Sequence, residues 1–106
     1  MRRGAVWWAD LRDPWGQRPV VLVARDDVYA TLSWIMAAPT TTRLRNAPSL
    51  VLLDADNDPV PKSCVVQLDH VQSIRKDWLI ERIGDLSSAR LREIDRAIHF
   101  ALGLLD

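Results

Sequence analysis

The most constraining feature of the sequence is a proline followed at once by an apolar run, Pro19-Val20-Val21-Leu22-Val23. Proline fixes its own φ and pushes the preceding residue, Arg18, toward extended backbone. Four consecutive apolar residues, three of them valines, are typical of a strand buried on both faces. The run therefore predicts a strand from Pro19 to Ala24. Arg18 is expected at the entrance of this strand, where a stiff backbone holds its guanidinium as an anion-binding group.

Length and charge limit the possible functions. A chain of 106 residues is expected to form one domain, residues 1–106. The 14 lysines and arginines balance the 14 aspartates and glutamates. This balance argues against a protein that coats duplex nucleic acid, but it leaves room for a small site that grips one or two phosphates.

Cysteine content and apolar runs narrow the class further. The single cysteine, Cys64, excludes an internal disulfide framework and a multi-cysteine zinc site, and we expect it to be a small buried residue. No apolar run approaches the ~20 residues that span a bilayer, and the first residues do not resemble a signal peptide. A cytoplasmic protein is expected.

Further apolar runs separated by turn-forming residues predict a mainly β (α+β) fold. The additional predicted strands are 5–11, 32–38, 50–53, 64–74 with a bulge or bend near its middle, and 79–83, which Gly84 ends. A turn is predicted at 39–42 and a solvated turn at 54–59. The expected architecture is a small, strongly bent antiparallel sheet closed by one C-terminal helix.

That helix is predicted by apolar residues that recur at three- and four-residue steps near the C-terminus. They are Leu91, Ile94, Ile98, Ala101, Leu102 and Leu105. Ser87 is the expected N-cap, with Leu86 and Leu91 as a hydrophobic staple, and Gly103 lies where the helix is expected to end.

The threonines Thr40, Thr41 and Thr42 are the second candidate for chemistry after Arg18. Their hydroxyls can bind a phosphate or cap a turn, and capping is the commoner use. Two hairpins that place Arg18 and Thr41 on one rim create an arginine-plus-hydroxyl pocket for a single phosphodiester. Such a pocket stabilises charge that develops on phosphorus without a metal.

Other chemically capable side chains give weaker signals. Trp15 lies in the loop beside Arg18, where it either stacks on bases or folds back over the sheet. His99 is expected on the solvent face of the helix, and His70 is structural or catalytic. The sequence contains no Cys/His metal cluster, no Gly-x-Ser-x-Gly elbow and no phosphate-binding glycine loop.

Several short motifs also occur in a fixed order along nearly the whole chain. They lie within 3–11, 17–23, 37–42, 63–74, 83–87 and 97–104. Each motif is weak alone, but the ordered set resembles that of the MazF/PemK-type toxins of bacterial toxin–antitoxin systems. The chain departs from that pattern at His70-Val71-Gln72, where many members have Gln-x-Arg, and the departure removes a cation from this part of the sheet.

The resemblance implies an SH3-like barrel with a C-terminal helix, the MazF/CcdB-like toxin fold, formed by one domain that pairs into a homodimer. It implies a sequence-specific endoribonuclease that uses no metal or cofactor and is neutralised by a separate antitoxin with an acidic, extended tail. The expected substrate is single-stranded RNA, with mRNA first and tRNA or rRNA as alternatives. Cleavage would leave 2′,3′-cyclic phosphate and 5′-hydroxyl ends and inhibit translation and growth.

Residue roles follow from the same resemblance. Arg18 matches the catalytic arginine and Thr41 the catalytic threonine, with Thr40 as the alternative if the triple threonine shifts the register. Loop 12–17 is expected to gate the groove and read bases. The implied RNA-binding residues are Trp15, Gly16, Gln17, Thr40, Thr42, Arg43, Asp69 and His70.

Two other functions stay open. Gyrase-poisoning toxins share the fold but use a C-terminal tryptophan, whereas this chain ends Leu104-Leu105-Asp106. A non-catalytic SH3-like interaction module would not depend on Arg18.

Overall fold

Seven antiparallel strands and a C-terminal helix form the regular structure of the computed structural model, which describes residues 1–104. The elements are β1 Ala5–Asp10, β2 Gln17–Leu22, β3 Trp34–Thr41, β4 Leu50–Leu53, β5 Cys64–Gln67, β6 Gln72–Arg75, β7 Leu79–Asp85 and α1 Ser88–Ala101. The strands follow the order β4-β5-β3-β2-β1-β7, and β6 also pairs with β3. The predicted fold class, mainly β with one C-terminal helix, is confirmed.

Strand β2 lies inside the sheet, between β1 and β3, and its apolar run is buried on both faces as predicted. Val21 packs into the core on the side of α1, which we call the helix-side core. Val20 and Leu22 pack into a second core on the opposite side, the far-side core. The strand begins two residues before the predicted start, at Gln17. Pro19 is accommodated because pairing with β3 begins only at Val20, so the missing N–H interrupts no β2–β3 hydrogen bond.

Strand β3 continues through Thr41, so the predicted turn at 39–42 is wrong. Pro39 pairs with Val20 of β2, while Thr40 and Thr41 pair with β5. Pairing with strands on both sides overrides the turn preference of the Pro-Thr segment, because strand formation depends strongly on neighbours that a local pattern does not include.

The predicted strand over 64–74 is two strands, β5 and β6, separated by a 3-10 turn at Leu68–His70. Both segments pair with β3. From Thr40 to Ala37 the chain moves three residues along β3, whereas the partners Val66 and Gln72 are six apart. The 3-10 turn accommodates the extra residues between the two partners. The expected bend is confirmed, but Asp69 and His70 lie on the turn and not on a strand.

Strand β7 extends to Asp85, so Gly84 does not end it as predicted. A Cβ on Gly84 would lie 2.6 Å from the Cβ of Pro59. Glycine is therefore needed here for close approach to the 54–59 turn and not as a strand terminator.

The predicted 54–59 turn is present and is exposed at residues 55–57, but the side chain of Asp58 is an exception. The Asp58 side chain is only 4% exposed and accepts from Nε of Arg90 at 3.1 Å. The same carboxylate also accepts from the backbone N–H of Asp54. The Asp58–Arg90 ion pair connects the turn to α1 and raises the pKa of the Arg90 guanidinium.

Helix α1 begins as predicted, because the Ser87 hydroxyl accepts from the backbone N–H of Arg90. Ile94 and Ala97 are buried in the helix-side core. Gly103 follows the helix with a φ of 73°, the left-handed conformation that suits a helix end. The predicted helical position Leu105 lies outside the described residues. Within residues 1–104, no helix is long and apolar enough to cross a bilayer.

The far-side core contains Tyr29, the single tyrosine of the chain, whose hydroxyl donates to the carbonyl of Ala24 at 2.8 Å. Burial, assisted by the nearby Asp26 carboxylate, raises its pKa to about 12. An unfolded chain ionises its tyrosine near pH 10. The stability that protonated Tyr29 contributes is therefore complete below pH 10 and is lost as the pH rises through 12.

We expect the near-ultraviolet absorbance of tyrosinate in the folded protein to rise with a midpoint near pH 12. The free energy of unfolding should fall by roughly 2–3 kcal/mol between pH 10 and 12, since each pKa unit is worth about 1.4 kcal/mol. Tyr29→Phe is the control, because it removes this part of the pH dependence. A midpoint near pH 10 in the folded state would contradict the burial argument.

Candidate active site

The register between β2 and β3 brings Arg18 and Thr41 together. Val20 pairs with Pro39, and antiparallel pairing continued by two residues on each strand places Arg18 across from Thr41. On its other side Arg18 pairs with Ala9 of β1. Pairing with β1 therefore fixes the backbone that carries the guanidinium.

The guanidinium of Arg18 is itself anchored. Its Nε donates to the Trp15 carbonyl at 2.7 Å and its Nη1 to the Thr40 carbonyl at 3.0 Å. The guanidinium carbon lies 5.4 Å from the centre of the Trp15 ring, within cation–π range. Since a guanidinium has five N–H donors, these two bonds leave three for an anion.

The three threonines have different environments. Thr40 is 2% exposed, and its hydroxyl donates to the Pro19 carbonyl at 2.7 Å. Thr41 is half-buried, and its hydroxyl oxygen accepts from the backbone N–H of Arg43 at 3.2 Å. The hydroxyl proton of Thr41 makes no bond within the described residues, whereas that of Thr40 is committed to the sheet. Thr41 is thus the threonine available to a ligand.

Arg18 and Thr41 line a groove of about 390 Å³, which we call the main groove. Its walls are Pro14, Trp15, Arg18, Thr41, Arg43, Arg45 and Gln67. Three guanidinium groups border this space, and its described lining contains no acidic side chain. Although the whole chain has zero net charge, this surface is suited to an anion.

A smaller recess of about 240 Å³ adjoins the main groove, because Arg18 and Thr41 line both spaces. We call it the side recess. Its walls are Trp8, Gln17, Arg18, Pro19, Thr40, Thr41 and Thr42. The arginine–threonine pair therefore lies between two spaces, and consecutive parts of one extended ligand can occupy them.

A larger depression of about 450 Å³ lies elsewhere, beside the 54–59 turn. It is lined by Asp58 and Glu81, with Arg82 as its single cation among the described residues. Its two carboxylates make it a poor site for phosphate, so size alone does not identify the site.

The remaining predicted RNA-binding residues differ in how close they lie to the main groove and the side recess. Trp15 packs against the far-side core, is partly buried, and also lines the main groove. His70 is exposed, and its ring centre lies 5.1 Å from that of Trp15. Gly16 has a φ of 67° and closes the loop by donating to the Arg12 carbonyl. Asp69 lies outside both linings and accepts from the Ser49 hydroxyl at 2.6 Å.

The sequence interpretation did not single out five lining residues, namely Trp8, Pro14, Pro19, Arg45 and Gln67. Arg45 follows Arg43 by two residues in the loop after β3, so its basic character was a usable signal. Gln67 was marked by being the one polar side chain in the buried strand Cys64-Val65-Val66-Gln67. Pro14 lies in loop 12–17, which was expected to gate the groove, and Pro19 follows Arg18 directly, whereas no local signal pointed to Trp8.

Cys64 is buried, as predicted, and takes no part in either space. Burial raises the pKa of its thiol, while a contact with the Thr40 hydroxyl acts in the opposite direction. A protonated, enclosed thiol is a poor nucleophile.

Replacing Thr40 and replacing Thr41 should change the free energy of unfolding by different amounts. Thr40→Val removes the donor to the Pro19 carbonyl inside the sheet and should lower the free energy of unfolding by about 1–3 kcal/mol. Thr41→Val removes only a half-exposed hydrogen bond and should stay within about 0.5 kcal/mol of wild type. Urea unfolding of the two variants measures this difference. Equal losses would contradict the distinction.

The chain is similar to the proteins of one known family. The family described as the PemK-like, MazF-like toxin of type II toxin–antitoxin systems matches residues 2–102. The chain is 38% identical over 100 residues to the probable endoribonuclease MazF5 of Mycobacterium tuberculosis, covering 94% of this chain and 91% of that protein. It is 33% identical over 115 residues to the endoribonuclease MazF9 of the same species, covering 98% of each.

Solved structures show the same fold. A mycobacterial endoribonuclease in complex with its cognate antitoxin superposes with a TM-score of 0.88 at 27% identity, covering 100% of this chain and 98% of that one. The M. tuberculosis toxin MazF-mt6 superposes with a TM-score of 0.85 at 29% identity, covering 96% and 98%. The predicted MazF/CcdB-like fold is confirmed, and the chain belongs to the PemK-like, MazF-like toxin family of type II toxin–antitoxin systems.

Proposed function

We propose that this protein is an endoribonuclease toxin that cuts single-stranded RNA at the Arg18–Thr41 pair. The observation that carries the proposal is the anchored guanidinium beside a threonine hydroxyl whose proton makes no bond within the described residues, in a groove bordered by two further arginines. The family supports RNA as the substrate, because relatives such as MazF5 and MazF9 of M. tuberculosis are named endoribonucleases.

The proposed reaction uses the nucleophile of the RNA itself. The 2′-hydroxyl attacks the adjacent phosphorus and loses its proton, the bond from phosphorus to the 5′-oxygen breaks, and that oxygen gains a proton. The products are a 2′,3′-cyclic phosphate and a 5′-hydroxyl. No metal or cofactor takes part in this scheme.

Arg18 and Thr41 are the proposed catalytic residues. The three remaining N–H donors of Arg18 form a planar fork that suits phosphate oxygens, and they act where negative charge grows in the transition state. The Thr41 hydroxyl donates to a non-bridging oxygen. Because both groups are held by paired strands, little reorganisation is required when charge develops.

The RNA strand is held on both sides of this pair. Arg43 and Arg45 bind neighbouring phosphates in the main groove, and the exposed part of Trp15 offers a stacking surface for a base. Gln17 and Thr42 contact the strand in the side recess. Loop 12–17 gates the groove, and Gly16, Asp69 and His70 extend the contact beyond it.

Two protein partners complete the proposal, which places the toxin in the cytoplasm. A cognate antitoxin with an acidic segment fits the arginine-lined groove, and a mycobacterial relative has been solved in complex with its cognate antitoxin. A homodimer is supported by apolar side chains on the outer face of β3, where Trp34 and Met36 are each 49% exposed.

The decisive test is cleavage of a long single-stranded RNA by purified protein in the presence of a chelator. Wild type should produce fragments with 5′-hydroxyl ends, and an oligonucleotide with a 2′-deoxy sugar at the cut position should resist. Arg18→Ala and Thr41→Ala should each lower kcat by about 10²–10³-fold, as expected for loss of one group that stabilises transition-state charge.

Arg92→Ala, on the exposed face of α1, is the matched control and should cleave like wild type. Circular dichroism verifies that Arg18→Ala still folds, and Arg18→Lys tests the fork while keeping the charge. Intact RNA with wild type, or full activity in both alanine variants, would refute the mechanism. Trapped DNA breaks with intact RNA would instead identify a gyrase poison.

The two groove arginines should determine the salt dependence of binding. In a Thr41→Ala background, which slows cleavage, Arg43→Ala and Arg45→Ala should weaken RNA binding. Removing one phosphate-binding arginine should reduce the slope of log affinity against log salt by roughly 0.7. Fluorescence anisotropy at several salt concentrations measures the slope, and Arg92→Ala should leave it unchanged. Unchanged slopes in both groove variants would exclude binding of phosphate by these two arginines.

A further inference from the structure

One polar side chain in the wall of the main groove has no role in the mechanism above. Gln67 is the last residue of β5, where it pairs with Leu50 of β4. The two preceding residues, Val65 and Val66, pair with Thr41 and Thr40 of β3. Gln67 is 7% exposed, and it lines the groove together with Arg18 and Thr41.

The Oε1 atom of Gln67 is buried and accepts no hydrogen bond from any described residue. Nine-tenths or more of buried polar groups in proteins have a partner, so such an atom requires an explanation. Among residues 1–104, the Nε1 atom of Trp7 is the other side-chain atom of this kind. Trp7 packs against the far-side core and lines neither the main groove nor the side recess, so only Gln67 joins an unpaired atom to the proposed site.

The surroundings of Gln67 do not require a polar residue. The other three residues of β5 are apolar and buried, and an apolar side chain at position 67 would fill the same space without leaving an acceptor unpaired. The unpaired amide oxygen therefore lowers the stability of the fold, and a ligand that supplies a donor removes this loss.

The chemistry of the groove indicates which part of RNA supplies the donor. The guanidiniums of Arg18, Arg43 and Arg45 only donate, and they suit phosphate oxygens, which only accept. An amide oxygen has the opposite preference and cannot bind a phosphate. The N–H groups of RNA lie on the edges of its bases, and an amide can accept from such an N–H and donate through Nε2 to the neighbouring base atom.

We propose that Gln67 reads one nucleobase beside the cleaved phosphodiester by accepting a hydrogen bond from an N–H on its Watson–Crick edge. Gln67 is then a specificity-determining residue, which rests on the endoribonuclease function proposed above. The terminal torsion of glutamine is broad, so its amide can turn toward the groove when a base enters. The arginines hold the backbone of any RNA, and the amide selects among sequences.

The test compares wild type with Gln67→Met on a mixed pool of RNA, followed by sequencing of the cut ends. Methionine has a similar length, packs well in apolar surroundings and cannot accept a strong hydrogen bond. We expect the base preference to fall by about tenfold to a hundredfold at one position next to the cut and to persist elsewhere. Leu52→Met, half-exposed on β4 and outside the main groove, is the control and should keep the wild-type preference.

Two further measurements separate reading from structure. Gln67→Met should keep or raise the midpoint of urea unfolding, because it removes an unpaired buried acceptor. Wild-type protein should also cut an oligonucleotide whose preferred base is replaced by an analogue lacking the N–H about tenfold to a hundredfold more slowly. This second measurement uses the unaltered chain, so the absence of any effect would overturn the proposal even if the variant fails to fold.

The outcomes distinguish the two proposals. No RNA cleavage by wild type would overturn the endoribonuclease function and the reading of a base with it. Normal cleavage with an unchanged preference in Gln67→Met, and no effect of the base analogue, would overturn only the role of Gln67. An equal loss of rate at all sequences would also overturn it, because the amide would then contact the sugar and not a base.

Discussion

The site depends on the pairing of β2 with β3. Val20 lies opposite Pro39, and this register alone brings Arg18 and Thr41, 23 positions apart in the sequence, to one place. Two side-chain bonds strengthen the same seam, from the Thr40 hydroxyl to Pro19 and from the Arg18 guanidinium to Thr40. A slip of one residue would turn the hydroxyl of Thr41 into the sheet and that of Thr40 out of it, since side chains alternate along a strand.

The positive charge of the main groove results from where the charged residues lie and not from the net charge of the chain. The chain is neutral as a whole, yet three arginines border one groove whose described lining contains no carboxylate. Several carboxylates elsewhere are paired with their own cations, as Asp58 is with Arg90 and Asp95 with Arg3. An anion therefore meets a local positive field that net charge does not reveal, and distant charges are largely screened in physiological salt.

Strand β5 combines residues that stabilise the fold with one residue that lowers its stability. Val65 and Val66 bury apolar side chains and support the two threonines of β3 through strand pairing, whereas Gln67 at the end of the strand leaves a buried acceptor unpaired. An unpaired acceptor of this kind costs about 1–3 kcal/mol. Such a cost is commonly found at positions selected for binding, because stability alone favours an apolar residue there.

The sequence by itself determined the double-sided burial of β2, the N-cap of α1, and Arg18 as a fixed cation, because each follows from a local pattern or from the stiffness of proline. It also determined the family, through motifs spread along the chain. Only the tertiary structure decided that Thr40 faces the sheet and Thr41 the groove, that Asp69 and His70 lie on a turn, and that Arg45 and Gln67 line the site. Basic character marked Arg45 and lone polarity marked Gln67, but where all these side chains lie depends on register and on contacts between distant strands, which a local pattern does not specify.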